Sequence, residues 1–191
     1  MDTTDCWSFA YEFIVSGEIE KAISLCETEV CSNSINCQRY LGWIYYKRGD
    51  MEKSLSWFGK AADQKDGEAL FGIGSVLVVK KDFQSAVSYF ERAANNGYPR
   101  GYQWAGSIYH RGSGVSIDLD RAEKYYRQGA AHGYIMAERS LISLRMKKEN
   151  IFVKFILIFK FVALLVKATK ISVRDINDPR MMDVPNYFKK N

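Results

Sequence analysis

The sequence predicts an all-α fold, an α-solenoid of antiparallel helix pairs followed by a hydrophobic C-terminal helix. Three observations predict it. Small and aromatic residues return at a step of 32: Gly42, Gly74 and Gly106, Phe58 and Phe90, Ala62 and Ala94. Each interval holds two stretches with apolar residues at helical spacing, parted by turn residues. Proline is nearly absent, with Pro99 alone before residue 179, so long helical runs go uninterrupted. A fixed period of this size marks stacked helix pairs. One pair cannot bury its apolar face alone, so neighbours must stack into a curved rod.

Each element follows from its residues. Residues 5–15 carry Trp7, Phe9, Ala10 and Phe13, and Gly17 turns the chain. A second helix from Glu18 to about Val30 has Ile19, Ala22, Ile23 and Cys26 at helical spacing, and a polar linker follows. Asn36–Lys47 and Met51–Asp63 flank the turn Gly49-Asp50. Gly67 to Val79 turns at Lys80-Lys81-Asp82 into Phe83–Asn96. The next helix carries Tyr102, Ala105, Gly106 and Tyr109 and leads into the loop Arg111–Ile117. Its partner opens at Asp118, carries Leu119, Ala122, Tyr125, Tyr126 and Ala130, and ends at Gly133. Residues 134–149 start another first-type helix, but Ile142 replaces the small glycine and Arg145 the tyrosine, as in a cap.

The stretch Pro99–Gly133 resembles a Sel1-like repeat, a longer relative of the tetratricopeptide repeat. The resemblance is carried by Ala105-Gly106, Tyr109, Gly112, Gly114-Val115, Asp118, Ala122, Tyr125-Tyr126-Arg127, Ala130-Ala131 and Gly133. Gly129 stands where that family usually has Ala, and weakens the helix end. The units run roughly 3–34, 35–66, 67–98 and 99–134, with a partial cap over 135–149. The three shorter units look more like tetratricopeptide repeats.

The resemblance implies a function. In such proteins the first helix of each unit lines a concave face that grips a peptide or helix of a partner. By equivalent position the groove residues are Trp7 and Tyr11, then Arg39, Trp43 and Lys47, then Phe71 and Ser75, then Gln103, Ser107 and Arg111. Exposed aromatics and Arg are the usual anchors of an interface. Trp43 and Phe71 have an equally plain alternative, packing between repeats. The Lys/Asn clamp that holds a C-terminal carboxylate in some relatives is not reproduced. The expected protein is therefore a non-catalytic scaffold or adaptor with a protein or peptide partner; its oligomeric state is open.

Other chemistry finds little material. Residues 1–150 hold 19 basic and 19 acidic residues, while 151–191 hold 8 and 3 and supply the whole net charge of +5. The repeat body thus gives no electrostatic reason to bind nucleic acid. His110 and His132 do not make a triad, and Gly112-Ser113-Gly114 lacks the lysine and the preceding strand of a phosphate loop. Asp118 and Asp120 read as helix cap and dipole partner. No cofactor or metal is expected. An enzymatic alternative rests only on the hydrolase label sometimes given to Sel1-like proteins.

Cys6, Cys26, Cys31 and Cys37 all fall in the first 37 residues. Some secreted Sel1-like proteins bridge the helices of each repeat, but the third and fourth units here have no cysteine. Reduced, partly buried thiols in a reducing compartment are expected. The start MDTTDCWSFAYEF has no basic region before an apolar run, so no signal peptide is read and a cytoplasmic location is expected.

Residues 151–171, IFVKFILIFKFVALLVKATKI, are more apolar than anything before them, but Lys154, Lys160, Lys167 and Lys170 interrupt them. Three readings stand: a final helix packed on the last repeat, an interfacial helix on an anionic membrane, or a spanning helix, which needs roughly 20 apolar residues. In the interfacial reading Phe155, Ile158, Phe159, Phe161, Val162 and Leu165 touch lipid. Residues 172–191 are polar with two prolines and are expected to be a flexible tail.

Overall fold

Glycines on one helix and an aromatic ring on the next decide how closely the helices of this protein approach. In the computed structural model, which describes residues 3–148 and 151–174, ten α-helices and no strand occur among the described residues. They fall into two compact units that divide after Asn96.

The first unit holds three hairpins: α1 (Thr3–Val15) with α2 (Ile19–Cys26), α3 (Ile35–Arg48) with α4 (Met51–Asp63), and α5 (Gly67–Val79) with α6 (Phe83–Asn95). Their first helices neighbour each other in the order α1, α3, α5. A Cβ placed on Gly42 would lie 2.5 Å from the Phe58 ring, and one on Gly72 also 2.5 Å from it. Phe58 therefore sits against bare backbone of two helices, one in its own hairpin and one in the next. Gly74 repeats the arrangement, with its absent Cβ 2.6 Å from Phe90. Phe58 and Phe90 are fully buried.

Local chemistry sets the helix ends. Asp50, Asp66 and Asp82 cap α4, α5 and α6, their carboxylates accepting from the amides of Lys53, Ala69 and Ser85 at 3.1, 2.7 and 3.1 Å. Gly49 closes α3 in the left-handed region at φ 80°. Lys81, at the equivalent register one hairpin later, holds φ 63° without the glycine that suits it. Ser54 Oγ, buried in α4, donates to the Gly42 carbonyl at 2.8 Å.

The first hairpin uses other means. Ala10 and Cys26 stand at the register of Gly42 and Phe58, and both are fully buried. The second helix stops at Cys26 instead of reaching Val30: Thr28 Oγ1 donates to the Leu25 carbonyl at 2.8 Å and draws the chain into a turn, and a 3₁₀ turn follows over Cys31–Asn33. That early stop returns Cys31 to α1, where it forms a disulfide with Cys6. The expectation of four reduced thiols is corrected for this pair, and with it goes the support the cysteines lent to a reducing compartment. Cys26 and Cys37 are free and buried. A hydrogen bond to the Cys37 side chain, together with burial, pushes the Cys26 thiol up.

The second unit holds α7 (Arg100–Arg111), α8 (Leu119–Ala131), α9 (Ile135–Lys148) and α10 (Ile151–Arg174). Gly106 lies under Tyr126 as Gly74 lies under Phe90, its absent Cβ 2.8 Å from the ring. Asp118 caps α8 by accepting from the Arg121 amide at 2.9 Å. Gly129 is more than a weak helix end, because a Cβ there would meet that of Ala137 at 2.6 Å. Its absence admits α9 against α8. Arg145 donates through Nε and Nη2 to Glu123 Oε1, both at 3.1 Å. Burial alone would raise the Glu123 pKa, but Arg145 and Arg127 outweigh it and hold the carboxyl below its usual range. Ile142, which replaces the glycine, packs with Ile135 against Leu157 and Leu164 of α10. The helix of α10 includes residues 172–174, assigned to the tail above; residues 175–191 lie outside the described residues.

Gly74→Ala tests the close approach. Alanine favours a helix by up to about 1 kcal/mol, but the displaced, fully buried Phe90 ring is expected to cost more, leaving a net loss of about 2 kcal/mol. A urea midpoint at or above that of the unchanged chain would contradict it.

Candidate partner-binding surface

The period places three rows of residues along the first helices of the hairpins, and the rows differ in depth. In the first unit the row Trp7, Arg39, Phe71 runs from a half-buried indole to a buried ring. Trp7 lies 6.1 Å from the rings of both Tyr11 and Tyr40. Phe71 packs 5.1 Å from Phe90 and 6.3 Å from Trp43. Arg39 Nη1 pairs with Glu68 Oε2 at 2.8 Å and Asp66 Oδ2 at 3.5 Å, while Nη2 donates to Asn36 Oδ1 at 2.5 Å. A guanidinium so occupied braces α3 against α5.

The second row is Tyr11, Trp43 and Ser75. Tyr11 is 52% exposed, but Trp43 keeps only 5%. The Trp43 ring lies 5.0 Å from Phe58 and 5.6 Å from Tyr46, and its Nε1 donates to Glu68 Oε1 at 3.2 Å. Ser75 is buried and its Oγ donates to the Phe71 carbonyl at 2.9 Å. Trp43, Phe71 and Ser75 are thus corrected as contact residues: they support the surface from beneath. The packing alternative for the two aromatics is the arrangement found.

The third row is Val15, Lys47 and Val79, all exposed. Sequence reasoning reached Lys47 and passed over the two valines, although the same step of 32 connects them. Val15 and Val79 are 51% and 48% exposed and lie on the accessible rim of these helices.

In the second unit the equivalent positions are Gln103, half-buried, Ser107, buried, and Arg111, exposed. Ser107 is therefore also corrected. His110 Nδ1 lies 3.2 Å from Tyr126 Oη, and His132 Nδ1 lies 2.8 Å from the Gln128 carbonyl it donates to, so both histidines have structural partners. Among the described residues no cluster of three or more His, Cys, Asp or Glu is placed to hold a metal ion.

The outward side of α10 is a separate surface. Phe155, Ile156, Ile158, Phe159, Val162, Leu165 and Val166 are exposed. Phe161 is half-buried and packs toward α9 with Val153 and Ala168, apart from the other five residues of the interfacial reading. Ile156 and Val166 are the exposed residues the sequence reading missed. No helix among the described residues is long and apolar enough to cross a membrane, which removes the spanning reading for them.

The model of the Sel1 repeat matches residues 35–66, 69–98 and 101–134, about half of the chain. The chain belongs to the Sel1 repeat family. The hairpin α1–α2, which carries Trp7 and Tyr11, lies outside the three matched Sel1 repeats, as do α9 and α10. Members of this family are protein-interaction scaffolds.

Among relatives, the chain is 31% identical over 111 residues to the ERAD-associated E3 ubiquitin-protein ligase component HRD3B of Arabidopsis thaliana, covering 56% of this chain and 18% of that protein. It is 36% identical over 98 residues to DAP3-binding cell death enhancer 1 of Rattus norvegicus, covering 50% of this chain and 19% of that protein. The chain thus spans about a fifth of the length of these curated relatives. The crystal structure of a Sel1 repeat protein from Oxalobacter formigenes aligns with a TM-score of 0.65 and 27% identity, over 78% of this chain and 65% of that one.

Glu68 takes hydrogen bonds from both Arg39 and Trp43. Glu68→Ala leaves a guanidinium and an indole N–H in a largely buried setting, and is expected to cost about 2 kcal/mol in urea denaturation. An unchanged midpoint would show that the brace between α3 and α5 lies elsewhere.

Proposed function

We propose that this Sel1 repeat chain is a non-catalytic scaffold that holds a polypeptide partner. The contact in the first unit is made by Tyr11, Val15, Lys47 and Val79, with Trp7 beneath Tyr11. In the second unit it is made by Arg111 and the accessible part of Gln103. The observation that carries this is the depth of the three rows. The row at the helix ends is exposed in every hairpin of the first unit, and beside it stands the exposed Tyr11, an aromatic of the kind that commonly anchors an interface. Support also comes from the names of relatives, one a ligase component and one a binder of another protein. A photo-crosslinking residue placed at Tyr11 or Lys47 is expected to capture one discrete protein in cells. The same residue at Ser88, exposed on α6, is expected to capture none. Equal labelling from all three positions would remove the first-helix surface from consideration.

A second reading keeps the scaffold and adds a bilayer beside it. It is favoured by the exposed apolar side of α10, which carries two phenylalanines 6.1 Å apart. The full chain is then expected in the membrane fraction of cells, and a Phe155→Ser, Phe159→Ser chain in the supernatant. Identical distribution of the two would remove α10 as the anchor.

A further inference from the structure

Helix α10 is apolar on two opposite sides, and Lys154, Lys160 and Lys167 sit at the seams between them. Successive residues of an α-helix are rotated by about 100°. Leu157 and Leu164 define the side packed on α9, with Val153, Phe161 and Ala168 around them. Phe155, Phe159, Val162 and Val166 fall on the side facing away, and all four are exposed. Lys160 and Lys167, seven residues apart, run along one border, and Lys154 lies on the other. These three cations therefore lie between the outward apolar side and the side packed on α9.

The charge of the segment narrows what can cover that stripe. From Asn150 to Arg174 there is no Asp or Glu, while Lys154, Lys160, Lys167, Lys170 and Arg174 are all basic. A second copy of α10 would bring lysines to lysines with no carboxylate to receive them, and like charges in contact oppose association. A negatively charged lipid surface supplies both requirements at once. Acyl chains receive the phenylalanine and valine side chains, and headgroup phosphates lie level with ammonium groups that reach sideways from the borders. From Phe155 to Val166 the stripe is about 17 Å long at 1.5 Å per residue, long enough to lie in the interface plane. The lysines that interrupt the segment, and that deny it a spanning length, are in this arrangement what binds it.

We propose that α10 lies flat in the headgroup region of an anionic bilayer, with Phe155, Phe159, Val162 and Val166 toward the acyl chains and Lys154, Lys160 and Lys167 at lipid phosphates. This rests on the membrane reading of α10, argues for the anionic lipid, and adds which side of the helix meets it. Each lysine near such a surface adds attraction that salt screens.

The test is co-sedimentation of the full chain with vesicles of phosphatidylcholine alone and of equal parts phosphatidylcholine and phosphatidylserine. Binding to the anionic vesicles is expected to be at least about tenfold tighter and to weaken in high salt. Lys160→Gln with Lys167→Gln is expected to cut that preference several-fold. Both side chains are exposed, and an unchanged helical circular-dichroism spectrum confirms folding. Phe155→Ser with Phe159→Ser is expected to abolish sedimentation with either vesicle. Equal binding to both compositions, insensitive to salt, overturns the assignment of anionic lipid while leaving membrane contact by α10 standing. Failure to bind either overturns both, and the polypeptide-holding role of the first-helix surface is unaffected.

Discussion

An aromatic ring pressed onto glycine backbone is the contact on which the rest of this structure depends. Gly42 and Gly72 enclose Phe58, Gly74 meets Phe90, and Gly106 meets Tyr126. At each of these positions one missing methyl group lets two helices close, and one large ring fills the space so gained. Dispersion between ring and backbone is weak per atom pair and large in sum. The geometry is also intolerant, since the rings are enclosed and have nowhere to swing.

This contact decides which residues remain for function. Because Phe58 and Phe90 pull the hairpins of the first unit together, Trp43 and Phe71 on the facing helices are covered by them and by each other. What stays accessible lies further along the first helices, at Val15, Lys47 and Val79. Arg39 is similarly turned inward by Glu68 and Asp66, so a residue type that commonly anchors partners serves here as a strut.

Much of the fold was legible in the sequence because its determinants are periodic. The glycine–aromatic pairs and the capping aspartates Asp50 and Asp82 recur at a step of 32, one lengthened loop shifts Asp118 and Tyr126 by four, and the helix-ending glycines break the pattern at Lys81. The candidate surface was less legible. Spacing identifies the face of a helix a residue occupies, but not how far a neighbouring ring covers it, so Trp43 and Tyr11 look equivalent in register and differ tenfold in exposure, 5% against 52%. The Cys6–Cys31 bond was hidden for another reason. It depends on α2 ending early through the Thr28 hydroxyl, a local event with no periodic trace. Gly129 was visible as a departure from pattern, but its purpose becomes clear only beside Ala137.

The tip of the α7–α8 hairpin carries a last implication. Gly74 and Phe90 are 16 positions apart and Gly106 and Tyr126 are 20, yet the absent Cβ meets its ring at 2.6 Å in one hairpin and 2.8 Å in the other. Length added at the crest does not propagate into the interior. Four residues at this crest are thus accommodated outside the glycine–ring contact, which makes the hairpin tip the place where chain can be spliced in at least cost to the interior.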